Sequence, residues 1–296
     1  MTPPARRFVN AVSRALHVVH HRFFPGFDTR RSAVARAYLR WAKGAGRLDE
    51  VDVLGHRMTL DDRDSLRLSV ARVIEPTLTR FVQRTVKPGD TVLDVGANIG
   101  YFTLLFARGV GADGRVVCLE PDPQNLAVLR RNVERNGYAG RVTILPRAAW
   151  DATGPLRLYR SDSNRGDHHV YDSGEAREVV AIDARRIDDY APLAAGPPVS
   201  LVKMDIQGAE YRALLGMREL LERSRDVVFL TEFWPMGLTR AGTRPADYLA
   251  LIESLGFALH DAPDDGDAMT PTTASELLAA YSAERDEATN LVCRRG

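Results

Sequence analysis

From Thr91 onward, apolar strand-like segments alternate with helix-like segments along the chain. The pattern predicts strands at 91–95, 116–120, 142–145, 201–206, 227–232, 257–260 and 290–294, and helices at 99–109, 123–136, 209–222 and 245–255. Parallel strands are joined by crossover connections, which are usually helices. The alternation therefore favours an α/β fold in which helices cover both faces of a largely parallel sheet.

The first of these strands runs into a glycine turn and then a helix, in the stretch 94–100 (Asp-Val-Gly-Ala-Asn-Ile-Gly). Such a turn lets the backbone approach a nucleotide-like ligand closely. A dinucleotide fingerprint requires glycine at positions 96, 98 and 101, but Asn98 and Tyr101 occupy the last two. The sequence therefore argues against a tightly bound pyrophosphate, and the acid at Asp94 suits a ligand with a positively charged end.

An acid, Glu120, ends the second strand, 20 residues beyond Gly100. In dinucleotide-binding folds an acid at this position accepts hydrogen bonds from the ribose hydroxyls. Without the phosphate-binding glycines, it favours a nucleoside that has no phosphates, such as S-adenosylmethionine (SAM). The alternative interpretation is that Glu120 caps the helix that follows.

The stretch from about residue 55 to residue 291 resembles the FkbM family of SAM-dependent methyltransferases. The resemblance rests on the stretch 94–100, on Glu120-Pro121, on Asn132 and above all on the octet 203–210 (Lys-Met-Asp-Ile-Gln-Gly-Ala-Glu). It implies a Rossmann-like, doubly wound seven-stranded sheet whose last strand runs antiparallel. It also implies methyl transfer from SAM, usually to a hydroxyl oxygen of a small natural product or sugar.

The predicted cofactor-binding residues lie at strand ends, in the glycine turn and in the helix before it. They are Glu75, Asp94, Gly96, Asn98, Gly100, Glu120, Pro121, Ala148 and Ala149. Glu75 is expected near the methionine end of SAM. The resemblance places small residues after the third strand, near the adenine, and the two alanines stand there.

Asp205 is predicted at the carboxyl end of the fourth parallel strand, beside the strand tip that carries Asp94. Two acids on one rim would form a cleft for a sulfonium on one side and an acceptor on the other. We therefore predict a catalytic role for Asp205. Lys203, inside the strand, is expected to be paired or to extend its ammonium towards solvent, rather than to be catalytic.

An alcohol loses its proton as the new bond to the methyl group forms, so a base is expected near the acceptor. His168 and His169, in the polar loop 162–171, are the candidate bases, and His168 is our predicted catalytic residue. Asp167 is expected either to orient His168 or to raise its pKa. A solvated loop histidine is the alternative interpretation. Asp205 and Glu232 could instead hold a divalent metal that polarises the hydroxyl.

The N-terminal part of the chain differs from the rest. Residues 1–47 carry ten Lys or Arg and one acid, Asp28, which predicts a basic helical extension. Within residues 48–90, a cap is predicted that consists of a short strand pair or loop (51–60) and helical material (61–84). It leads into a methyltransferase domain at 91–296. Within that domain, residues 150–199 form a substrate-loop insertion, in which strands at 156–160 and 178–182 flank a polar loop.

Composition narrows the choice of function. The 296 residues contain 40 Lys plus Arg and 39 Asp plus Glu, a balance that gives no general attraction to nucleic acid or acidic lipid. Cys118 and Cys293 are predicted to be free and buried. No apolar run is long enough for a transmembrane segment, and a signal peptide is not expected, so we predict a cytoplasmic protein.

The sequence as a whole predicts an O-methyltransferase that uses SAM and acts on a small hydroxylated acceptor. A nicotinamide-dependent oxidoreductase is the first alternative, and Asn98 and Tyr101 argue against it. A non-catalytic SAM-binding scaffold would not need acids at its strand tips. Nucleic-acid methylation rests only on the basic extension. The sequence does not choose between a sugar and another alcohol, and it leaves the oligomeric state open.

Overall fold

A computed structural model describes residues 50–69, 71–264 and 268–295. The basic extension predicted for residues 1–47 lies outside the described residues. The chain divides into two compact units, which meet in sequence between Ile74 and Glu75.

In the first unit, a hairpin is followed by a series of turns. Strands β1 (Glu50–Val53) and β2 (His56–Thr59) pair antiparallel across a two-residue turn in which both residues have positive φ. This geometry matches the twist of a hairpin. The helix predicted to start at residue 61 is wrong over 61–74: the Asp61 carboxylate accepts the backbone N–H groups of Arg63 and Ser65, which stabilises a turn instead.

The second unit contains a large sheet and a small one. Its strands are β3 (Thr91–Val95), β4 (Arg115–Leu119), β5 (Val142–Leu145), β6 (Ala148–Ala149), β7 (Gly154–Arg160), β8 (Glu178–Arg185), β9 (Leu201–Met204), β10 (Val228–Phe233), β11 (Phe257–Asp261), β12 (Thr270–Thr272) and β13 (Thr289–Arg295). Its helices are α1 (Pro76–Thr85), α2 (Tyr101–Gly109), α3 (Pro123–Arg135), α4 (Ala191–Ala194), α5 (Glu210–Leu215), α6 (Arg218–Arg223), α7 (Pro235–Arg240), α8 (Pro245–Ser254) and α9 (Ala274–Ala280), with a 3₁₀ turn at Ile187–Asp189.

The strand order of the large sheet is β12-β11-β13-β10-β9-β3-β4-β5. Strands β5, β4, β3, β9 and β10 pair in parallel, and β13 lies antiparallel between β10 and β11. The predicted Rossmann-like, doubly wound sheet with an antiparallel last strand is therefore confirmed. The short strand β12 adds an eighth member at the edge, beyond the seven that were predicted.

The central strands β3 and β9 are buried along their whole length, as expected for parallel strands covered on both faces. The polar ends of these strands are therefore the points at which the sheet can meet a ligand. The predicted helix 209–222 is divided into α5 and α6 at Gly216. A Cβ at Gly216 would overlap the carbonyl oxygen of Trp150, so the chain packs too closely there for any other residue.

The predicted insertion forms the small sheet, in the order β6-β8-β7. Strands β7 and β8 pair antiparallel over seven residues each, slightly longer than predicted. The segment between them, residues 161–177, is called the strap below. Cys118 on β4 and Cys293 on β13 are free and buried, as predicted. Among the residues that the structure describes, no helix combines the length and apolarity needed to cross a membrane.

Candidate active site

A cleft opens at the carboxyl ends of β3, β4 and β9, and the strap covers it. Eight of the predicted site residues line this cleft: Gly96, Asn98, Glu120, Pro121, Ala148, Ala149, His168 and Asp205. Four others, Glu75, Asp94, Gly100 and Glu232, lie outside its lining. The sequence pattern therefore brings most of the expected residues to one place, and the neighbouring contacts explain the position of the rest.

The glycine turn after β3 depends on backbone conformations that few residues tolerate. Gly96 and Gly100 have φ values of 85° and 98°, and Asn98 has a φ of 51°. Asparagine tolerates this left-handed region better than most residues, which fits its position in the turn. The N–H groups of Gly96 and Ala97 donate to the carbonyl oxygen of Leu119, at 3.0 and 2.9 Å, which ties the turn to the end of β4.

The Glu120 carboxylate is held by backbone groups on both of its oxygens. Oε2 accepts the N–H of Asn98 and Oε1 accepts the N–H of Asp122, each at 2.8 Å. Burial raises the pKa of Glu120 to about 8, even though these two hydrogen bonds lower it. A carboxylate oxygen can accept more than one hydrogen bond, so Glu120 can still accept hydrogen bonds from the hydroxyl groups of a ligand bound in the cleft.

The helix-capping interpretation of Glu120 is wrong. Asp122 is the N-cap of α3, where its side chain accepts the backbone N–H groups of Gln124 and Asn125. Glu120 is therefore available for a ligand.

Beneath the cleft, Lys203 is buried among acids. Its Nζ lies 3.3 Å from Oδ2 of Asp205 and 4.7 Å from the centre of the Phe102 ring. Burial lowers the pKa of Lys203, but the carboxylates of Asp205, Glu75 and Asp94 raise it more, so the ammonium stays charged. Lys203 is thus paired, as expected.

Asp94 and Glu75 face this lysine. Oδ2 of Asp94 accepts a 2.5 Å hydrogen bond from Thr103, and burial raises the pKa of Asp94 although Lys203 opposes the shift. Burial likewise raises the pKa of Glu75 to about 7. Within the described part of the chain, Oδ1 of Asp94 and Oε2 of Glu75 are buried without a hydrogen-bond partner. Both acids therefore lie beside Lys203, outside the lining of the cleft.

Gln207 lies between the two carboxylates predicted as metal ligands. Its Nε2 donates to Oδ1 of Asp205 at 3.0 Å and to Oε2 of Glu232 at 3.3 Å. Burial, followed by the charge of Asp205, raises the pKa of Glu232 well above its usual value. No cluster of three or more His, Cys, Asp or Glu residues suited to a metal occurs in the ranges 50–69, 71–264 and 268–295. The amide of Gln207 bridges the two carboxylates, which argues against a divalent cation between them.

The hydrogen bonds of His168 determine which ring nitrogen carries its proton. Nδ1 accepts the backbone N–H of Ser161 at 3.1 Å, so the neutral ring is protonated at Nε2. Burial lowers the pKa of His168, which favours this neutral form. His168 therefore presents an N–H donor on the cleft side of the strap, and the general-base role predicted for it does not fit.

Asp167 pairs with His169 and Arg177, so the prediction that it orients His168 is wrong. Its Oδ1 lies 2.8 Å from Nε2 of His169, and its Oδ2 lies 2.8 Å from the Arg177 guanidinium. Burial lowers the pKa of His168, and the charge of Asp167 raises it, as the alternative prediction had it, but by less. Burial raises the pKa of Asp167, but the hydrogen bonds from His169 and Arg177 together lower it by more. The pKa of Asp167 is therefore below its usual value.

The sequence interpretation missed the contacts that hold the strap over the cleft. The carbonyl oxygen of Arg165 accepts the side-chain amides of Asn125, at 3.0 Å, and Asn98, at 3.4 Å. The free volume left in the cleft is about 70 Å³. The strap therefore borders the space that a ligand of this cleft would occupy. No periodic pattern could have revealed this contact, because Asn125 and Arg165 lie 40 residues apart.

A comparison with known protein families tests the FkbM resemblance over most of the second unit, residues 75–296. The sequence model of the methyltransferase FkbM domain matches residues 94–259, which is more than half of the chain. This chain belongs to the FkbM methyltransferase family. It is a SAM-dependent methyltransferase, and the family resemblance stated from the sequence is confirmed.

Two relatives within this family are similar over much of their length. The 2-O-methyltransferase NoeI of Sinorhizobium fredii is 28% identical over 55% of this chain and 73% of its own length. The 31-O-demethyl-FK506 methyltransferase FkbM of Streptomyces tacrolimicus is 30% identical over 48% of this chain and 65% of its own length, slightly less than two thirds. A SAM-dependent O-methyltransferase structure from Thermotoga maritima is similar at a TM-score of 0.42 and 15% identity, over 87% of this chain and 81% of its own.

The chemistry of the cleft fits SAM. Glu120 offers carboxylate oxygens for ribose hydroxyls, and Gly96 adds no side chain to the lining of the cleft. Ala148 and Ala149 leave space beside the end of β5.

Proposed function

We propose that this FkbM-family protein transfers the methyl group of SAM to a hydroxyl oxygen of a small natural product or sugar. The observation that carries the proposal is the Glu120 carboxylate, which two backbone N–H groups hold at the end of β4, beside the glycine turn. The two relatives described above support oxygen as the acceptor atom. One is named as a 2-O-methyltransferase, and the other is named as the methyltransferase of a 31-O-demethyl substrate.

When bound, SAM supplies an electrophilic methyl group attached to a sulfonium. The protein's own contribution is to hold donor and acceptor in line and to exclude water. Glu120 would accept hydrogen bonds from the ribose hydroxyls, and the glycine turn at 96–100 would contact the nucleoside through its backbone. Ala148 and Ala149 would border the adenine, and Pro121 would border the ribose. The strap would close over the cofactor once it is bound.

The acceptor hydroxyl must pass its proton to a group that can take it. We infer that this group is His169. Its Nε2 donates a hydrogen bond to the Asp167 carboxylate, so the proton of the neutral ring is on Nε2 and Nδ1 keeps a lone pair that can accept a proton. Asp205, which lines the cleft, is the second candidate base. His168 would instead donate a hydrogen bond from Nε2 to one of the bound molecules.

A small acceptor, rather than nucleic acid, is consistent with the net charge of +1. Two buried free thiols are consistent with the cytoplasmic location that we propose.

Calorimetric titration with SAM tests the cofactor site. We expect micromolar binding to the wild-type protein and at least tenfold weaker binding to Glu120→Gln. Glu134→Gln, an exposed acid on α3, is the matched control and should bind like the wild type. Equal binding by Glu120→Gln and the wild type would overturn the proposed role of Glu120.

Transfer of a deuterated methyl group from SAM to a panel of alcohols, followed by mass spectrometry, tests the reaction. A mass increase on an oxygen of at least one sugar or natural-product alcohol is expected. Transfer only to nitrogen, carbon or nucleic acid would overturn the proposed acceptor class.

A further inference from the structure

A group of charged side chains lies at and behind the wall of the cofactor cleft, and we call it the charge cluster: Glu75, Asp94, Lys203 and Asp205. Strands β3 and β9 are adjacent and parallel, and Asp94 lies directly opposite Lys203, so both side chains leave the same face of the sheet. The Lys203 ammonium lies 3.3 Å from the carboxylate of Asp205, the first residue after β9. Asp205 is the member of the cluster that lines the cleft.

The charge cluster contains more carboxylates than ammonium groups. Three carboxylates interact with one ammonium, and Asp94 and Lys203 are only 1% and 4% exposed. Oδ1 of Asp94 and Oε2 of Glu75 are buried and have no hydrogen-bond partner in the part of the chain that the structure describes. Buried charged oxygens without a partner are costly, because the protein interior screens charge less than water does. A positive charge brought by a ligand would therefore be stabilised beside the cluster.

The backbone of Glu75 is strained at this place. Its φ of 41° lies in the left-handed region, which is unfavourable for residues other than glycine. Although Glu75 is the N-cap residue of α1, its side chain makes no capping hydrogen bond to that helix. Burial raises the pKa of Glu75, and the charge of Lys203 is the largest influence that lowers it, so the carboxylate interacts with the cluster rather than with the helix. Strained residues of this kind are concentrated at functional sites.

The order of the strands indicates which end of a bound cofactor the cluster faces. In the sheet, β5, β4, β3 and β9 follow one another. With the adenine beside Ala148, just beyond β5, and the ribose on Glu120, at the end of β4, the 5′ substituent of the ribose extends towards β3 and β9. Gly96 and Asp205 line the cleft at that end. Because the sulfur of SAM is attached to the 5′ carbon, we expect it on the side of the cleft that Asp205 lines.

The charge on this sulfur changes during the reaction. When the acceptor oxygen bonds to the methyl carbon, the carbon–sulfur bond breaks and its electron pair stays on sulfur, while the hydroxyl proton passes to the base. The positive sulfonium thereby becomes the neutral thioether of S-adenosylhomocysteine, which is SAM without its methyl group. The adenine, the ribose and the amino-acid end are the same in both molecules, which therefore differ in the methyl group and in the charge on sulfur.

We propose that the charge cluster distinguishes SAM from S-adenosylhomocysteine by the charge on sulfur. The sulfonium balances the excess of negative charge, whereas the thioether leaves it unbalanced. The Asp205 carboxylate is fixed for this purpose, since Lys203 holds one of its oxygens and Gln207 holds the other. Binding therefore weakens once the methyl group has been transferred, which favours exchange of the product for a new SAM molecule. The proposal rests on the proposed function, since it concerns the cofactor of the same reaction.

Calorimetry with three ligands tests this proposal at pH 8, above the pKa of about 7 to which burial raises Glu75. The ligands are SAM, S-adenosylhomocysteine and sinefungin, in which a carbon that carries a protonated amino group replaces the sulfonium. Sinefungin has the positive charge but no methyl group to transfer, so it separates the effect of charge from that of the methyl group. We expect SAM and sinefungin to bind the wild-type protein at least about tenfold more tightly than S-adenosylhomocysteine.

Three substitutions each remove one negative charge from the cluster and keep the shape of the side chain: Glu75→Gln, Asp94→Asn and Asp205→Asn. Each should reduce the preference for the two charged ligands about fivefold, while the affinity for S-adenosylhomocysteine stays within about twofold of the wild type. If Asp94→Asn fails to fold, the other two variants still test the cluster.

Two control variants accompany them. Glu253→Gln, at an exposed acid on α8, should bind all three ligands like the wild type. Glu120→Gln should weaken the binding of all three ligands to a similar extent, because the ribose is common to them, and should keep the preference for the charged pair.

The outcomes separate this proposal from the proposed function. If none of the three ligands binds the wild-type protein, the cofactor site itself is in error. If all three bind equally well, or if the preference persists in every cluster variant that folds, the charge cluster is overturned while the methyltransferase function stands. A preference for SAM that sinefungin does not share would show that the methyl group is recognised rather than the charge. A preference that disappears in Glu120→Gln would assign it to that carboxylate and overturn the role of the cluster.

Discussion

Gly96 packs against the carbonyl oxygen of Asp205 so closely that a Cβ at residue 96 would overlap it. Next to this contact, the N–H of Asp205 donates to the carbonyl oxygen of Val95 at 3.1 Å. The glycine turn after β3 and the acid after β9 are therefore joined through their backbones, although they lie more than 100 residues apart in the sequence. This contact makes one cleft from two separate motifs.

Replacing Gly96 with alanine should disrupt that contact. We expect Gly96→Ala to destabilise the protein by several kcal/mol, because overlap and an unfavourable φ add together, and to abolish SAM binding. Gly137→Ala is the matched control, since Gly137 also has a positive φ, of 72°, but nothing lies within 4 Å of its added Cβ. It should cost about 1–2 kcal/mol and leave binding intact. Urea unfolding and calorimetry measure both effects, and similar losses in the two variants would contradict the packing argument.

The affinity for S-adenosylhomocysteine should increase as the pH rises towards about 8. Burial raises the pKa of Glu120 to about 8, and ribose hydroxyls donate best to its ionised form. Bound ligand therefore lowers this pKa, so binding releases a proton below pH 8, and the affinity changes by up to about tenfold per pH unit there. Above the pKa of the free protein the affinity should level off.

Calorimetry in buffers of different ionisation enthalpy measures the proton release. Glu120→Gln should bind more weakly and show neither the proton release nor the rise with pH. A wild-type affinity that is constant between about pH 6 and pH 9 would show that Glu120 is ionised in the free protein or does not contact the ligand.

Much of the fold could be predicted because strand and helix periodicity is a local property. Strand β5 was predicted with its observed limits, 142–145, and the glycine turn identified the first strand of the parallel sheet. The predicted helix from residue 61 failed, because the carboxylate of Asp61 stabilises a turn through its own neighbours, which periodicity does not detect.

The candidate site was harder to predict, because the roles of its side chains depend on contacts that are distant in sequence or lie within an irregular loop. The backbone N–H of Ser161 determines the tautomer of His168. Asp167 forms a hydrogen bond with His169 rather than with His168, which is adjacent to it in the sequence. Gln207 takes its place between two carboxylates only once β9 and β10 are adjacent. These hydrogen bonds can be identified only in the folded structure.

Methyl transfer should not depend on a divalent metal. Gln207 donates to both Asp205 and Glu232, so the two carboxylates are occupied by an amide. We expect the rate of methyl transfer to be unchanged after dialysis against EDTA and after addition of Mg²⁺ or Mn²⁺. A loss of activity that either metal restores would assign Asp205 and Glu232 as ligands and overturn the interpretation given to Gln207.

Loosening the strap should expose it to protease. Asn125→Ala removes the 3.0 Å hydrogen bond to the carbonyl oxygen of Arg165, and a lost hydrogen bond is worth about 1 kcal/mol, or about fivefold in the population of the open strap. Trypsin should then cleave after Arg165 about fivefold faster than in the wild type. Gln124→Ala, at an exposed residue beside it on α3, should leave the rate unchanged. Equal cleavage of Asn125→Ala and the wild type would show that other contacts hold the strap closed.

The two adjacent histidines should differ in their effect on catalysis, because their free nitrogens have opposite character. Nδ1 of His169 is an acceptor, while Nε2 of His168 is a donor. Once transfer to an alcohol is detected, His169→Gln should lower kcat about 100-fold or more, as expected for loss of a general base. His168→Gln keeps an N–H donor, so its effect on kcat should be less than tenfold.

The affinity of both variants for S-adenosylhomocysteine should remain within about threefold of the wild type, which separates a catalytic effect from misfolding. The ¹⁵N shifts of labelled histidine report the tautomers directly: both rings should be protonated at Nε2, and only His169 should have an Nδ1 without a hydrogen bond in the absence of an acceptor. A larger loss of kcat in His168→Gln than in His169→Gln would return the role of base to His168. A loss confined to Asp205→Asn would assign it to the acid at the end of β9.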